Sequence, residues 1–263
     1  MSGTPSNTFT SPAHSVTVQG AYEPFDLQTA RAQVMGHSTV NIYGFQVSVT
    51  TTNIPIWEVA GAYAYPAAAT AMNLASSVNT GADKTGTTVL ISGLDSTYAP
   101  ISETLTLNGT TVVVTTKSYL RINNISVSSV TGGVNPTGTI TLKDLTNTTT
   151  YAQINPSIGR SQMAIYTVPA GYTFYLSRID AYTSANGSSA DWIQYRNVNT
   201  TSSGVTTLTQ QAPFTNTYHS QRVMPRPFAE KTDIQLQAKT SANTYAVSIA
   251  AEGYLIKNDL QAE

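Results

Sequence analysis

Three histidines are the first side chains to consider for chemistry, because an imidazole can act as a general base or bind a metal. His14, His37 and His219 lie far apart in the sequence, and none has a second histidine two or four positions away. The chain contains no cysteine, which removes thiolate zinc sites and a cysteine nucleophile. The sequence therefore predicts no metal site and no cofactor.

Two carboxylates form the other candidate pair, since acids in neighbouring loops can serve a glycosidase or bind calcium. Glu103 is in phase with Ile101 along a predicted strand, so its carboxylate needs a partner such as Arg121 or Lys117. Asp95 falls in a predicted turn, where aspartate most often caps the backbone. We interpret both carboxylates as structural.

The motifs of common enzyme classes are absent from the sequence. It has no Gly-x-Ser-x-Gly, no Walker A loop and no dinucleotide fingerprint. Serine, histidine and aspartate show no spacing that suggests a catalytic triad. We therefore expect no enzymatic activity and assign no catalytic residue.

Charge is sparse along the chain, with 10% charged residues and a formal net charge of −1. The 13 lysines and arginines are scattered, so we expect no nucleic-acid partner. No apolar stretch is long enough to span a bilayer, and the first residues lack the pattern of a signal peptide. The lack of cysteine fits folding in a reducing cytoplasm. We expect neither membrane insertion nor secretion.

The elements that must position any site are predicted to be almost entirely β. Residues 1–37 read as an extended arm and lead-in, with a short helix over residues 26–35 capped by Asp26. Forty-two threonines suit half-exposed strands. Apolar alternation predicts strands over residues 39–49, 54–59, 87–92, 101–107, 111–116, 119–127, 140–142, 162–168, 172–182, 192–198, 232–238 and 244–256. Without helical crossovers the fold class is all-β, with antiparallel β-sandwich or jelly-roll-like units.

Local patterns refine this organisation. Gly44 interrupts the alternation of the first strand and predicts a β-bulge. Asn108-Gly109 predicts a two-residue type I′ hairpin. Residues 144–161 are polar and are interpreted as a seam between units. The predicted domains are therefore the arm and lead-in (1–37), a first sandwich (38–155) and a second sandwich (156–263).

Aromatic residues are the best candidates for protein contacts, because tyrosine combines a large contact area with a polar tip. The chain has 15 tyrosines and two tryptophans, and we expect Trp57 and Trp192 to anchor the core. The candidate interface residues of the body are Tyr63, Tyr65, Tyr172 and Tyr175.

A set of strand and turn sequences between about residues 23 and 256 resembles virion structural proteins of tailed bacteriophages, of the type found in marine and cyanobacterial phages. The matching segments are Glu23-Pro24-Phe25, Met35-Gly36-His37-Ser38 with Tyr43-Gly44, Ile56-Trp57-Glu58, Tyr65-Pro66, residues 89–95, residues 102–111 and residues 168–172. None of them is a catalytic motif.

This resemblance implies a structural subunit of the particle, assembled in the host cytoplasm and located in the virion. We expect a capsid decoration, cement or head-spike protein that contacts the major capsid protein. A neck, tail or tail-fibre component that touches host glycans is the alternative. Symmetric particles also favour a closed homo-oligomer, and a homotrimer is expected.

The arm carries too little apolar surface to form a core of its own. We expect it to be disordered in the free subunit and to order on a neighbouring chain. Its candidate anchors are Phe9, Val16 and Val18.

Overall fold

A computed structural model describes residues 23–185 and 191–261 of the chain. These residues form sixteen strands, one short α-helix and three single-turn 3-10 segments at residues 81–83, 131–133 and 258–261. In chain order the main elements are α1 (Phe25–Ala30), β1 (His37–Val49), β2 (Ile54–Pro55), β3 (Asn73–Ser76), β4 (Thr88–Leu94), β5 (Pro100–Thr106), β6 (Val113–Val114), β7 (Arg121–Ser129), β8 (Ile140–Lys143), β9 (Thr150–Ile154), β10 (Ile165–Thr167), β11 (Tyr172–Thr183), β12 (Ile193–Thr200), β13 (Thr206–Phe214), β14 (Thr217–Phe228), β15 (Asp233–Thr240) and β16 (Tyr245–Lys257). The predicted all-β class is confirmed.

Two sheets face each other around the larger core. Sheet A has the order β1-β16-β11-β14, and sheet B has the order β10-β15-β12-β13 with β2 beside β15. The paired strands of both sheets are antiparallel. We call this unit the C-terminal sandwich, and its completely buried side chains include Ile56, Phe174, Ile179, Tyr195, Leu236 and Ile249.

The smaller core lies between two further antiparallel sheets. Sheet C has the order β6-β3-β8-β9, and sheet D has the order β5-β4-β7. We call this unit the N-terminal sandwich. Its core includes Trp57, Met72, Leu74, Ile91, Ile125 and Leu142.

The two sandwiches do not divide the chain at residue 155. β1 precedes the N-terminal sandwich in sequence but pairs with β16, from His37 opposite Ile256 to Gln46 opposite Val247. The chain enters the smaller core at Trp57. β1 therefore belongs to the C-terminal sandwich, because it pairs with β16. The residues from His37 to Gln46 lie more than 200 positions from their partners in the sequence.

The polar stretch at residues 144–161 is not a seam in the structure. It contains the β8–β9 turn and the whole of β9, which pairs with β8 inside sheet C. Asp144 explains part of its polarity, because its carboxylate accepts hydrogen bonds from the main-chain N–H groups of Thr148 (2.7 Å) and Thr149 (2.8 Å). The hydrophilic residues thus build a tight turn.

Gly44 does not form the expected bulge. Its pairing with Ile249 is in continuous register, and the irregularity of β1 lies between Gln46 and Val49. A Cβ atom at Gly44 would lie 2.1 Å from the carbonyl oxygen of Ile56 and 2.5 Å from the amide nitrogen of Ala164. Glycine is needed because two other chain segments pass directly against this strand.

The Asn108-Gly109 hairpin differs from the prediction as well. A turn is present, closed by the N–H of Thr111 on the carbonyl of Asn108 (3.1 Å), but the positive φ falls on Gly109 (62°) and not on Asn108. The flanking strands separate, because β5 pairs with β4 and β6 pairs with β3. Tertiary pairing therefore overrides the local hairpin signal.

The predicted helix is shorter than expected and is not capped by Asp26. α1 spans six residues, its N-cap is Pro24, and no side chain caps it. Among the predicted core anchors, Trp57 is buried, whereas Trp192 is 37% exposed and lies beside Lys239 with the ammonium 5.9 Å from its ring. No helix among the described residues is long and apolar enough to cross a bilayer.

Candidate functional site

Both candidate carboxylates are held by main-chain groups. The Asp95 carboxylate accepts hydrogen bonds from the hydroxyl and N–H of Thr97 (both 2.7 Å) and from the N–H of Ala99 (3.0 Å). These bonds stabilise the ionised form and lower the pKa of Asp95. Glu103 accepts hydrogen bonds from the N–H of Thr116 (3.0 Å) and of Lys117 (3.3 Å). Each carboxylate fixes a loop.

The two described histidines, His37 and His219, have separate polar neighbours. His37 lies 2.9 Å from the carbonyl of Met35, and His219 lies 2.8 Å from the Asp180 carboxylate. His14 is outside the described residues. Across residues 23–185 and 191–261, no group of three or more histidine, aspartate or glutamate side chains could hold a metal ion.

Two of the candidate interface tyrosines lie at the junction of the sandwiches. Tyr63 is 7% exposed and donates a hydrogen bond to the carbonyl of Tyr151 (3.0 Å). Tyr65 stacks edge-on against Tyr63 (4.9 Å between centroids), and the guanidinium of Arg121 lies 4.5 Å from the Tyr65 ring. Tyr63 is buried and Tyr65 is half-buried, and both fill and orient this junction.

The other candidates have different locations. Tyr172 is half-buried against the core of the C-terminal sandwich. Tyr175 is half-buried and shares a rung of sheet A with Tyr254. Phe9, Val16 and Val18 lie outside the described residues.

The outer face of sheet A carries a concentration of polar and aromatic side chains. Strand register places these residues on successive rungs that cross all four strands. The first rung is Asn41, Glu252, Arg178 and Gln221; the second is Tyr43, Ala250, Asp180 and His219; the third is Phe45, Ser248, Tyr182 and Thr217. Tyr43 and Tyr182 are 37% and 44% exposed.

Asp180 organises the middle of this face. Its carboxylate binds the Arg178 guanidinium (Nε to Oδ2, 2.7 Å) and the His219 ring (Nδ1 to Oδ1, 2.8 Å). Tyr182 packs edge-on against His219 with 5.5 Å between ring centroids. Asp180 is buried while Arg178 and His219 are about half exposed, so it holds two solvent-facing donors in fixed positions.

A cleft of about 570 Å³ opens on the first rung. One wall is α1, held in place where Phe25 packs on Tyr254 (5.7 Å) and where the hydroxyl of Tyr254 donates a hydrogen bond to Asp26. Burial raises the pKa of Tyr254 to about 12, and the bond to Asp26 acts in the same direction. The polar side chains that line the cleft include Asp26, Asn41, Arg178, Gln221, Arg222 and Glu252.

A large bulge of β14 forms the opposite wall. Four residues, 222–225, stand opposite the single residue Ser177 of β11. Val223 at the tip is fully exposed, and Met224 is 84% exposed. A four-for-one bulge is unusually large, and it lifts two apolar side chains away from the sheet.

The same side of the C-terminal sandwich is open, because β13 and β14 are edge strands of their two sheets. Polar side chains span the opening: Arg226 donates to the carbonyl of Thr209 (3.1 Å), and Gln210 donates to the hydroxyl of Tyr218 (2.6 Å). Val205 and Leu208 of this region are more than half exposed. The open side thus has exposed apolar side chains, and hydrogen bonds between β13 and β14 connect the two edge strands.

Sequence reasoning did not identify these surfaces. β13 and β14 lack clear apolar alternation, so neither strand was predicted. The first strand did contain a signal, because Tyr43, Phe45 and Val47 recur with period two on either side of Gly44. That phase marks an outer face with apolar side chains.

Comparison with known proteins adds little to this picture. No protein-family model matches the sequence, and no curated protein matches it. A chain from the structure of infectious bursal disease virus, Gt strain, is 11% identical over 84% of this chain and 73% of that chain, with a TM-score of 0.20. Similarity at that level carries no conclusion about fold or function.

Proposed function

We propose that this protein is a non-enzymatic structural subunit of a tailed-phage particle, which decorates or cements the capsid by packing on other virion proteins. A neck or tail subunit is the alternative position. The proposal begins from the sequence resemblance to virion structural proteins, which spans strands and turns of both sandwiches.

The observation that carries the proposal is the apolar bulge of β14. Exposed apolar side chains are common singly, but a fully exposed Val223 beside an 84% exposed Met224 on a raised bulge is typical of a contact point. Methionine adapts its shape to a partner surface. These two side chains fit a shallow apolar depression on another protein.

The edge strands favour contact through side chains over extension of a sheet. Pro225 and Pro227 of β14 and Pro213 of β13 remove N–H donors from the two open edges. A second strand would therefore find incomplete pairing along either edge. Contact through the bulge does not add a strand to either sheet, so each copy of the subunit remains a separate folded unit, as a repeated surface protein requires.

The carboxylates support a role without catalysis. Asp83 is 1% exposed and accepts hydrogen bonds from Ser76 (2.6 Å) and from the N–H groups of Thr137 (2.8 Å) and Gly138 (3.1 Å). Burial alone would raise the pKa of Asp83, and these bonds outweigh it and lower the pKa. Like Asp95 and Glu103, this acid is used to fix loops.

Particle microscopy tests the proposal. Tagged protein should appear in many copies over the shell, whereas six or twelve copies at one vertex would assign it to the neck or tail. Val223→Asp combined with Met224→Asp should reduce incorporation while leaving the melting temperature almost unchanged. Val134→Asp, at a 59% exposed valine of the N-terminal sandwich, is the matched control.

If purified particles do not contain this protein, the proposal is wrong. Turnover of a polysaccharide that is lost in Glu103→Ala would also contradict it. Light scattering gives the oligomeric state, and the expected result is a homotrimer.

A further inference from the structure

We propose that the cleft on the outer face of sheet A binds a neutral oligosaccharide. This site goes beyond the structural role proposed above, and Val223 of the apolar bulge belongs to its rim. Its volume of about 570 Å³ lies within the range of small-ligand sites.

The walls of the cleft are fixed before any ligand arrives. Its floor is formed by hydrogen-bonded strands of sheet A. On one side, Phe25 also packs edge-on against His37 (5.7 Å), which holds α1 on β1. On the other side, Arg226 anchors the base of the bulge through its bond to Thr209. A prepared site loses little conformational entropy on binding.

Hydrogen-bonding groups in the cleft are left available. The side chains of Asn41, Gln221 and Glu252 make no hydrogen bond to another described residue, although all three lie on the first rung. Amide and carboxylate groups of this kind match vicinal hydroxyls, which both donate and accept. Arg178 adds donors whose position is set by Asp180.

Charge balance selects a neutral ligand. Asp26 and Glu252 face the same space as Arg178 and Arg222, so the lining has no net charge. A balanced lining offers no net attraction to an anionic or a cationic ligand, whereas a neutral polyol can form hydrogen bonds with all four side chains. In a chain with 10% charged residues, this concentration on one face is unusual.

Aromatic rings flank the path that leads from the cleft along β16. Tyr43 and Phe45 lie on β1, and Tyr182 lies on β11, on either side of Ser248 and Ala250. Strands are about 4.8 Å apart, so the flanking strands are separated by roughly 10 Å. The small side chains between them leave space for a sugar ring whose C–H face contacts an aromatic ring. The cleft would therefore bind one end of an oligosaccharide whose other sugar rings lie along β16.

Titration calorimetry with maltotriose, cellotriose, mannotriose and chitotriose tests this site, with sialyllactose as the anionic comparison. At least one neutral trisaccharide should bind. Gln221→Ala and Arg178→Met should each weaken that binding about tenfold, since each removes hydrogen bonds to the ligand. Both positions are solvent-facing, and the circular dichroism and melting temperature should confirm that the variants fold.

Asn135→Ala, at an exposed amide of the N-terminal sandwich, is the control and should bind like the unmodified chain. Failure of all four neutral trisaccharides to bind would overturn the inference, as would binding of sialyllactose alone or affinity that the cleft variants do not change. A protein that enters particles and binds no sugar refutes this site and leaves the structural role intact.

Discussion

The guanidinium of Arg121 and the carboxylate of Asp233 form a two-pronged ion pair that joins the sandwiches. Arg121 Nε lies 2.9 Å from Oδ1 and Nη2 lies 3.0 Å from Oδ2, with the two side chains 12% and 9% exposed. Arg121 comes from β7 of the N-terminal sandwich and Asp233 from β15 of the C-terminal one. Thr167 donates a further bond to Asp233 (2.6 Å), and Tyr65 covers the guanidinium. The pair therefore fixes how the two cores meet.

Breaking this pair should destabilise the protein strongly. Arg121→Met leaves a buried carboxylate without its counter-ion, and such a loss costs about 3–5 kcal/mol of unfolding free energy. Chemical denaturation monitored by fluorescence measures it. The double variant Arg121→Met/Asp233→Leu should recover part of the loss, because neither charge then remains buried.

An exposed ion pair provides the control. Asp259→Ala removes the contact with Lys257 on the surface and should leave the denaturation curve unchanged. Equal effects of Arg121→Met and Asp259→Ala would contradict the assignment of Arg121–Asp233 as the connection between the cores.

Glu58 should make stability fall as pH rises. It lies where the chain enters the smaller core and accepts a hydrogen bond from the N–H of Gln162. Burial raises the pKa of Glu58 to about 8, against an ordinary value near 4.3 in the unfolded chain. At pH values between these two pKa values the folded protein binds more protons than the unfolded chain. The stabilisation that Glu58 contributes is therefore complete below the unfolded pKa and is lost as the pH rises to about 8.

Glu58→Gln should remove that dependence, because glutamine stays neutral and keeps an oxygen for the same N–H. The difference in melting temperature between the variant and the unmodified chain should grow from pH 5 to 8 and then level off. Glu230→Gln is the matched control, since Glu230 also accepts a main-chain bond, from Gly171, but is exposed. A constant difference across this pH range would rule out the assigned pKa.

The strands that the sequence failed to predict are chiefly edges. Central strands such as β11 and β16 contribute alternating apolar residues to a core, so their pattern is visible in the sequence. β13 and β14 instead carry Pro213, Pro225 and Pro227, which are tolerated because one side of an edge strand needs no pairing. The residues that protect an edge also hide it from pattern analysis.

The cleft could not be predicted for a related reason. Asn41, Arg178 and Glu252 are distant in sequence and become neighbours only through the register of β1, β11 and β16. Of the strand pairings in sheet A, that of β1 with β16 joins residues with the largest separation in sequence, and no local pattern indicates it. The β-rich class and most central strands were predictable, whereas this long-range pairing was not.

Gly44 should tolerate no side chain. Gly44→Ala places a methyl group against the Ile56 carbonyl and the Ala164 N–H, both of them main-chain groups that cannot move aside cheaply. We expect a loss of at least about 2 kcal/mol in unfolding free energy. Gly204→Asn is the comparison: its φ of 81° suits asparagine and no atom lies within 4 Å, so its stability should change little. A loss in Gly44→Ala as small as that in Gly204→Asn would show that the neighbouring main chain moves to accept the added methyl group.

Deletion of residues 2–20 should separate folding from assembly. Among the described residues, every buried member of the two hydrophobic cores lies at position 42 or later, so the truncated chain should keep its melting temperature within about 2 °C. We expect incorporation into particles to fall, because the segment supplies Phe9, Val16 and Val18 as anchors for a neighbouring chain. Competition between full-length and truncated protein for particles, quantified by mass spectrometry, measures the effect. A truncation that unfolds the body would mean that the segment completes a core, and one that enters particles as well as the full chain would remove the proposed role of the arm.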